Sequence, residues 1–460
     1  MGSKKNAWLK FDDTKKEEIF SFCEGYKKYI SDCKTERESI KEAIYLAESK
    51  GYRDLKNVIS AGKSLKAGDK VYYNNMDKSL ALFLIGSESI ESGMRIIGSH
   101  VDSPRLDLKP NPLYEDSELS LMETHYYGGV KKYQWVTIPL ALHGVVVKKD
   151  GTKIDVVVGE EETDPVVMVS DLLVHLASEQ QQKKATEVIA GEDLNILVGS
   201  MPLEGEEKEA VKANILKLLK EKYDFEEEDF MSAEIEIVPA GKARDLGLDR
   251  SMVAGYGHDD RICAYTSLLA LLETESTKKT SVVLLVDKEE VGSIGATGMQ
   301  SRFFENAVAE LMDRVGEYSE LKLRRALANS KMLSSDVTAA FDPNYAGAYE
   351  KKNSAFFGKG LAFAKYTGAR GKSGCNDANA EFVAWLRNVM DESDVSYQMA
   401  ELGKVDQGGG GTIAYILAEY GMEVIDCGVA LQNMHAPWEV ASKVDIFETM
   451  RGYKAFLMAE

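Results

Sequence analysis

Between Thr14 and Lys50 apolar residues recur at helical spacing, first Ile19, Phe20, Cys23, Tyr26, Tyr29 and Ile30, then Ile40, Ile44 and Leu46. The pattern predicts two amphipathic helices with Ser31 or Thr35 as a cap. Short β-rich stretches follow at 70–74, 80–86 and 94–99, bounded by Gly, Asn and Asp, and are expected to be strands that end in loops. After Ser251 the chain keeps an α/β rhythm. Residues 262–273 read as a buried helix, 281–286 as a short all-apolar strand, 303–325 as helix and 331–335 as strand. A helix near 379–389, a glycine turn at 408 leading into a helix that ends at Tyr420, a buried strand at 424–428 and a terminal helix at 444–459 complete it.

Between these halves the texture changes, beginning at Lys109-Pro110-Asn111-Pro112. Short alternating stretches at 136–142, 144–148, 153–159 and 235–238 are interrupted by a polar segment at 178–185 and a helical one at 206–223. This predicts a mainly β insertion with its own small core. The expected division is 1–108 with 243–460 for an α/β domain and 109–242 for the inserted domain. A length of 460 residues fits such a large α/β unit with an insertion and excludes one small domain.

Composition narrows the classes of function. With 44% hydrophobic and 28% charged residues the chain can bury a sizeable core. A formal net charge of −19 offers no general attraction for nucleic acid or for an anionic membrane, so neither is expected as a partner. Cys23, Cys33, Cys263, Cys375 and Cys427 are odd in number, scattered and without a Cys-x-x-Cys pair, which argues against a disulfide framework or a cysteine zinc knuckle. No signal-peptide core follows Met1 and no apolar run approaches about 18 residues, so a cytoplasmic, soluble protein is expected.

Two of the six histidines, His100 and His435, stand in polar loops beside strand ends, which suits ligation better than core packing. Asp102, two residues beyond His100, can take the second imidazole N–H and fix its tautomer. Asp259 and Asp260 open an otherwise apolar helix, where capping and dipole effects alone also explain acidic residues. Glu289 and Glu290 follow the apolar strand directly, at a glycine-containing turn, and the carboxyl ends of strands in open α/β sheets are where ligands bind. Asp336 again follows a short apolar strand. His100, Asp259, Glu290, Asp336 and His435 together form a ligand inventory for two divalent ions sharing one carboxylate. Two metals roughly 3.5–4 Å apart would acidify a shared water and polarise a carbonyl, leaving Glu289 to take the proton, and the implied chemistry is amide hydrolysis.

The ordered set Gly-Ser-His-Val-Asp-Ser-Pro (98–104), Asp-Asp-Arg (259–261), Asp-Lys-Glu-Glu-Val-Gly-Ser (287–293), Ser-Ser-Asp (334–336) and Met-His (434–435) resembles the M18 metallo-aminopeptidases, the aspartyl aminopeptidase and aminopeptidase I group. Lys-Pro at 109–110 and Val-Pro at 238–239 extend the match over nearly the whole chain. The resemblance implies a mixed-sheet zinc-peptidase domain interrupted by a dimerisation domain, with dimers assembling into a tetrahedral dodecamer. It implies two zinc ions, or cobalt or manganese: His100 and Asp336 on one, Glu290 and His435 on the other, Asp259 bridging. Glu289 would be the general base, Asp102 the residue orienting His100, and peptides the substrates.

The resemblance also implies substrate contacts. His175 lies in a stretch similar to one that reaches a neighbouring subunit's active site, although the family tends to carry two histidines four apart and the earlier position here is Asp171. A packing role for His175 is the alternative. Lys365 matches a lysine near the specificity pocket, where a cation would favour acidic N-terminal residues and a neutral pocket with Phe363 apolar ones. Asp406 would meet the free α-amino group or act as a plain turn carboxylate. Gly408-Gly409-Gly410-Gly411-Thr412 lacks the Lys-Ser/Thr pair of a phosphate loop and reads as backbone approaching the substrate, with Thr412 capping the next helix. A small-molecule deacylase on a related two-metal scaffold is the runner-up function, and a binding protein with a degenerate site is disfavoured because every proposed ligand is present.

Overall fold

The computed structural model describes residues 5–368 and 371–460. It divides into two compact units, one comprising the chain to Asp102, Ala243–Met434 and Glu439–Glu460, the other Ser103–Lys242 with His435–Trp438.

The first unit is built on a nine-stranded mixed sheet, and its middle is where the all-apolar runs lie. Ser281–Val286 pairs parallel with Arg95–His100 and antiparallel with Ser79–Leu84, and Arg95–His100 pairs parallel with Lys331–Ser335, which pairs parallel with Glu423–Gly428. Both faces of these strands are buried, so their side chains divide by the two-residue period between two cores. Val282, Leu284 and Ile96 join one core with Phe304, Val308 and Leu311 of the Phe303–Val315 helix. Val283, Leu285 and Ile97 join the other with Ile262, Leu268 and Phe447. Helices Asp13–Asp32, His258–Leu272 and Lys443–Met458 contribute to this second core. A five-stranded sheet, which includes Met252–Gly255 and Glu439–Ser442, completes the unit.

Several of the local expectations have visible causes. Thr35, not Ser31, starts the Glu36–Ser49 helix: its hydroxyl accepts from Glu38 N at 3.2 Å while Glu38 Oε2 accepts from Thr35 N at 3.1 Å, a reciprocal cap. The helix expected over 303–325 is two, Phe303–Val315 and Glu320–Ala328, because Gly316 ends the first at φ +85°.

The second unit carries a seven-stranded sheet, with a long hairpin of Arg105–Asp116 and Leu119–Tyr127 beside Ala233–Pro239 and Leu140–Val147. The stretches at 136–142 and 144–148, read as separate, are largely one strand, Leu140–Val147, because Gly144 at φ +151° lies against the backbone of Glu234 without breaking the ladder. The helix is Ala210–Tyr223. Trp135 is the largest fully buried side chain. Among the described residues no helix is long and apolar enough to cross a membrane.

Candidate metal centre

Four backbone segments of the first unit end at one point. The sheet delivers His100 at the end of its strand, with Val101 N donating to Val286 O at 2.9 Å. Lys331–Ser335 delivers Asp336, whose N donates to Cys427 O at 2.9 Å, and Ser281–Val286 delivers the short turn Glu289–Val291. The fourth segment is the start of His258–Leu272. Asp259 (φ −78°, ψ 110°) and Asp260 (φ −114°, ψ 26°) are not helical, so both carboxylates leave the helix cap and turn to other partners.

The side chains meet around the imidazole. His100 Nε2 lies 3.1 Å from Asp259 Oδ1, 3.8 Å from Asp336 Oδ1 and 3.9 Å from Glu289 Oε2. His100 Nδ1 faces the Asp102 carbonyl at 2.9 Å and the Asp102 carboxylate at 3.4 Å. The carboxylate of Asp102 accepts from Glu289 N at 3.1 Å and Glu290 N at 3.2 Å. Asp102 thus meets the ring with both its carbonyl and its carboxylate, and its side chain also fixes the turn that presents Glu289 and Glu290.

Asp260, next to Asp259 in the chain, belongs to the same cluster. It is fully buried, its Oδ2 accepts from His100 N at 3.3 Å, and Oδ1 has no protein partner. The ligand atoms form two overlapping triads, each within 4.8 Å: His100, Asp260 and Asp336, and His100, Asp259 and Glu290. Glu439, also buried, accepts from Asp259 N at 3.0 Å and is a second supporting carboxylate that strand periodicity gave no reason to single out.

So many acids in little water are strongly perturbed. Burial, and then the charges of Asp336, Asp102 and Asp259, push Glu289 up to about 8 against the pull of His100. Burial also raises Asp336 and, reinforced by Asp336 and Asp259, holds Asp260 well above the ordinary carboxylate range. Burial alone would depress His100, but hydrogen bonds to Asp102, Asp259 and Asp336 outweigh it and hold the ring well above its usual value. A buried imidazole among converging carboxylates, one with an orphaned oxygen, is a donor set suited to divalent cations, which would offset the repulsion.

The other expected site residues stand elsewhere. His435 (φ +66°) belongs to the second unit, where its Nδ1 lies 2.9 Å from Gly129 O. His175 is exposed in the Val174–Leu176 turn beside Leu172 (46% exposed), Leu173 (54%) and Val174 (66%). Lys365 Nζ pairs with Asp377 Oδ1 at 2.9 Å, and Lys372 Nζ with Asp377 Oδ2 at 2.8 Å. Asp406 is exposed in the loop before Gly408.

The family model for the aminopeptidase I zinc metalloproteases, M18, matches residues 29–457. The chain belongs to the M18 family. A probable M18 family aminopeptidase 1 of Clostridium acetobutylicum is 66% identical over 454 residues, covering 98% of both chains. A crystal structure of aminopeptidase I from that organism superposes with a TM-score of 0.93 at 65% identity, and that of an M18 aminopeptidase from Thermotoga maritima with 0.95 at 45%, each covering 99% of both chains. A dodecamer structure of a Saccharomyces cerevisiae relative shares the fold at 20% identity and a TM-score of 0.77, covering 95% of this chain and 96% of that one. As an M18 member the chain is a zinc-dependent aminopeptidase of α/β fold, hydrolysing the N-terminal residue of peptides with metal-activated water, and the deacylase alternative is not favoured.

In this M18 aminopeptidase Asp336 leans on a glycine. A Cβ at Gly428 would run into the Asp336 carbonyl and approach Cys263 Sγ at 2.9 Å. Gly428→Ala is therefore expected to displace Asp336 and weaken zinc binding by about tenfold or more. Competition with a fluorescent chelator measures this, and unchanged affinity would mean that the strand yields without moving Asp336.

Proposed function

We propose that each subunit of this aminopeptidase holds two divalent ions, Zn²⁺ in preference to Co²⁺ or Mn²⁺, through His100, Asp259, Glu290, Asp336 and His435. In this reading His100 and Asp336 serve one ion, Glu290 and His435 the other, and Asp259 both. The observation that supports it is the pair of overlapping donor triads, which bring His100, Asp259, Glu290 and Asp336 together. When bound, such ions acidify water and polarise the scissile carbonyl. Glu289 accepts the proton of the attacking water and returns it to the leaving amine. Asp102 keeps Glu289 in reach by holding its backbone N–H.

Lys365, Asp406 and, from a neighbouring subunit, His175 are the proposed substrate contacts. Lys365 and Lys372 share Asp377, two cations to one carboxylate, and a panel of aminoacyl-anilides decides between acidic and apolar N-terminal residues. The inserted domain, 109–242, is proposed to form a dimer, and six dimers a tetrahedral dodecamer. The support is the dodecamer of the S. cerevisiae relative and the exposed apolar run Leu172, Leu173, Val174 and Leu176. A cytoplasmic location accords with the five free cysteines.

Zinc stoichiometry on reconstituted protein tests the centre. Two ions per subunit are expected, falling to one in His435→Ala, and a parent saturating at one ion would overturn the two-metal reading. Sedimentation separates twelve subunits from two.

A further inference from the structure

The run Gly408–Gly411 contains two glycines that the fold requires and two that it does not. A Cβ at Gly408 would run into the Leu402 carbonyl, and Gly409 has φ +124°. Gly410 and Gly411 lie outside the left-handed region, and a Cβ on either meets no other atom within 4 Å. Both are exposed. Their bare backbone borders space that the chain itself leaves open.

The loop is nonetheless tied down at three points. Gly410 N donates to Thr367 O at 3.1 Å. Ile413 sits over Gly98, two residues before His100, so closely that a Cβ there would lie 3.0 Å from its Cδ1. The Thr412 hydroxyl accepts from Ala414 N at 3.3 Å, as expected of a cap, and also donates to Asp426 Oδ1 at 2.7 Å. Asp426 is 3% exposed, and the strand register sets it opposite Ser334, two residues before Asp336. Burial pushes its carboxyl up to about 7, against the hydrogen bond from Thr412. The proposed metal ligands and Glu289 make no use of this buried acid.

We propose that Asp426 is a positioning residue: through Thr412 it holds the Gly410–Gly411 backbone at a fixed height beside the strand leading to Asp336, so that the substrate's main chain lies against the two bare glycines. The inference rests on the aminopeptidase reading of the site and on this loop as the place where backbone approaches substrate.

The test uses full-length, zinc-loaded protein and steady-state kinetics on tripeptides. Thr412→Val removes the hydroxyl at constant shape and is expected to raise KM about tenfold, with kcat within about twofold and zinc content unchanged, while Thr412→Ser restores KM. Gly411→Ala, which meets nothing in the chain, should raise KM without altering the melting temperature. If Gly411→Ala raises KM and Thr412→Val does not, Asp426 has no positioning role although the loop still meets substrate. If neither variant moves KM, the loop does not meet substrate and the inference falls. Loss of zinc together with kcat in Thr412→Val would overturn it in favour of a prop for the Asp336 strand. A parent that cleaves no tripeptide would refute the aminopeptidase reading instead.

Discussion

Replacing Glu289 by Gln is expected to lower kcat by about 10²–10⁴-fold while zinc content stays at the parent level. The substitution keeps the shape of the side chain and the backbone N–H that Asp102 accepts, so the turn should hold. It removes the one property argued for Glu289, a carboxylate able to gain and lose a proton beside His100, from which its Oε2 lies 3.9 Å away. Glu289 stands outside both donor triads, whereas Glu290 stands inside one. The two neighbours should therefore separate cleanly: Glu290→Gln should release zinc, and Glu289→Gln should not. Turnover on a peptide substrate and elemental analysis of the same samples decide it. If Glu289→Gln loses zinc along with activity, the roles of the two residues are exchanged.

What was legible in the sequence follows from where the chain leaves its side chains no choice. Residues 282–286 are apolar at every position because both faces of that strand are covered, and the observed strand, Ser281–Val286, starts one residue before the run and ends where it does. His100 and Asp336 were legible for the same reason, as polar residues that stop apolar strands. Asp260 was not. An acidic pair opening a helix is already explained by capping, and only the non-helical backbone at Asp259 and Asp260 turns the second carboxylate toward His100. The hairpin from Arg105 to Tyr127 was also hidden. Pro110 and Pro112 interrupt the apolar alternation, and in the structure they fall where the ladder shifts register between Leu108 and Leu113. Glu439 lies between the expected strand at 424–428 and the expected terminal helix, and what gives it meaning is a partner 180 positions away.

Stripping the metal should abolish turnover, and it should also make stability depend on pH in a defined direction. Without cations the carboxyls are held protonated by burial and by one another, Glu289 up to about 8 against an ordinary value of 4.5, with Asp336 and Asp260 raised in the same sense. Between those values the folded chain keeps protons that the unfolded chain has released, so folding stability must fall as pH rises from about 4.5 to about 8. The slope is roughly 1.4 kcal/mol per pH unit for each carboxyl that behaves so. His100, held above its ordinary value of 6.5, adds to the same fall once the pH passes that value, because only the folded form stays protonated. Bound cations replace those protons, so the zinc-loaded protein should lack this fall. The gap in melting temperature between loaded and chelated protein is therefore expected to widen from about pH 5 to about pH 8. A gap that stays constant with pH would remove carboxylate repulsion as the reason the centre takes a cation. Peptide cleavage at the parent rate in thoroughly chelated protein would remove the metal from the reaction altogether.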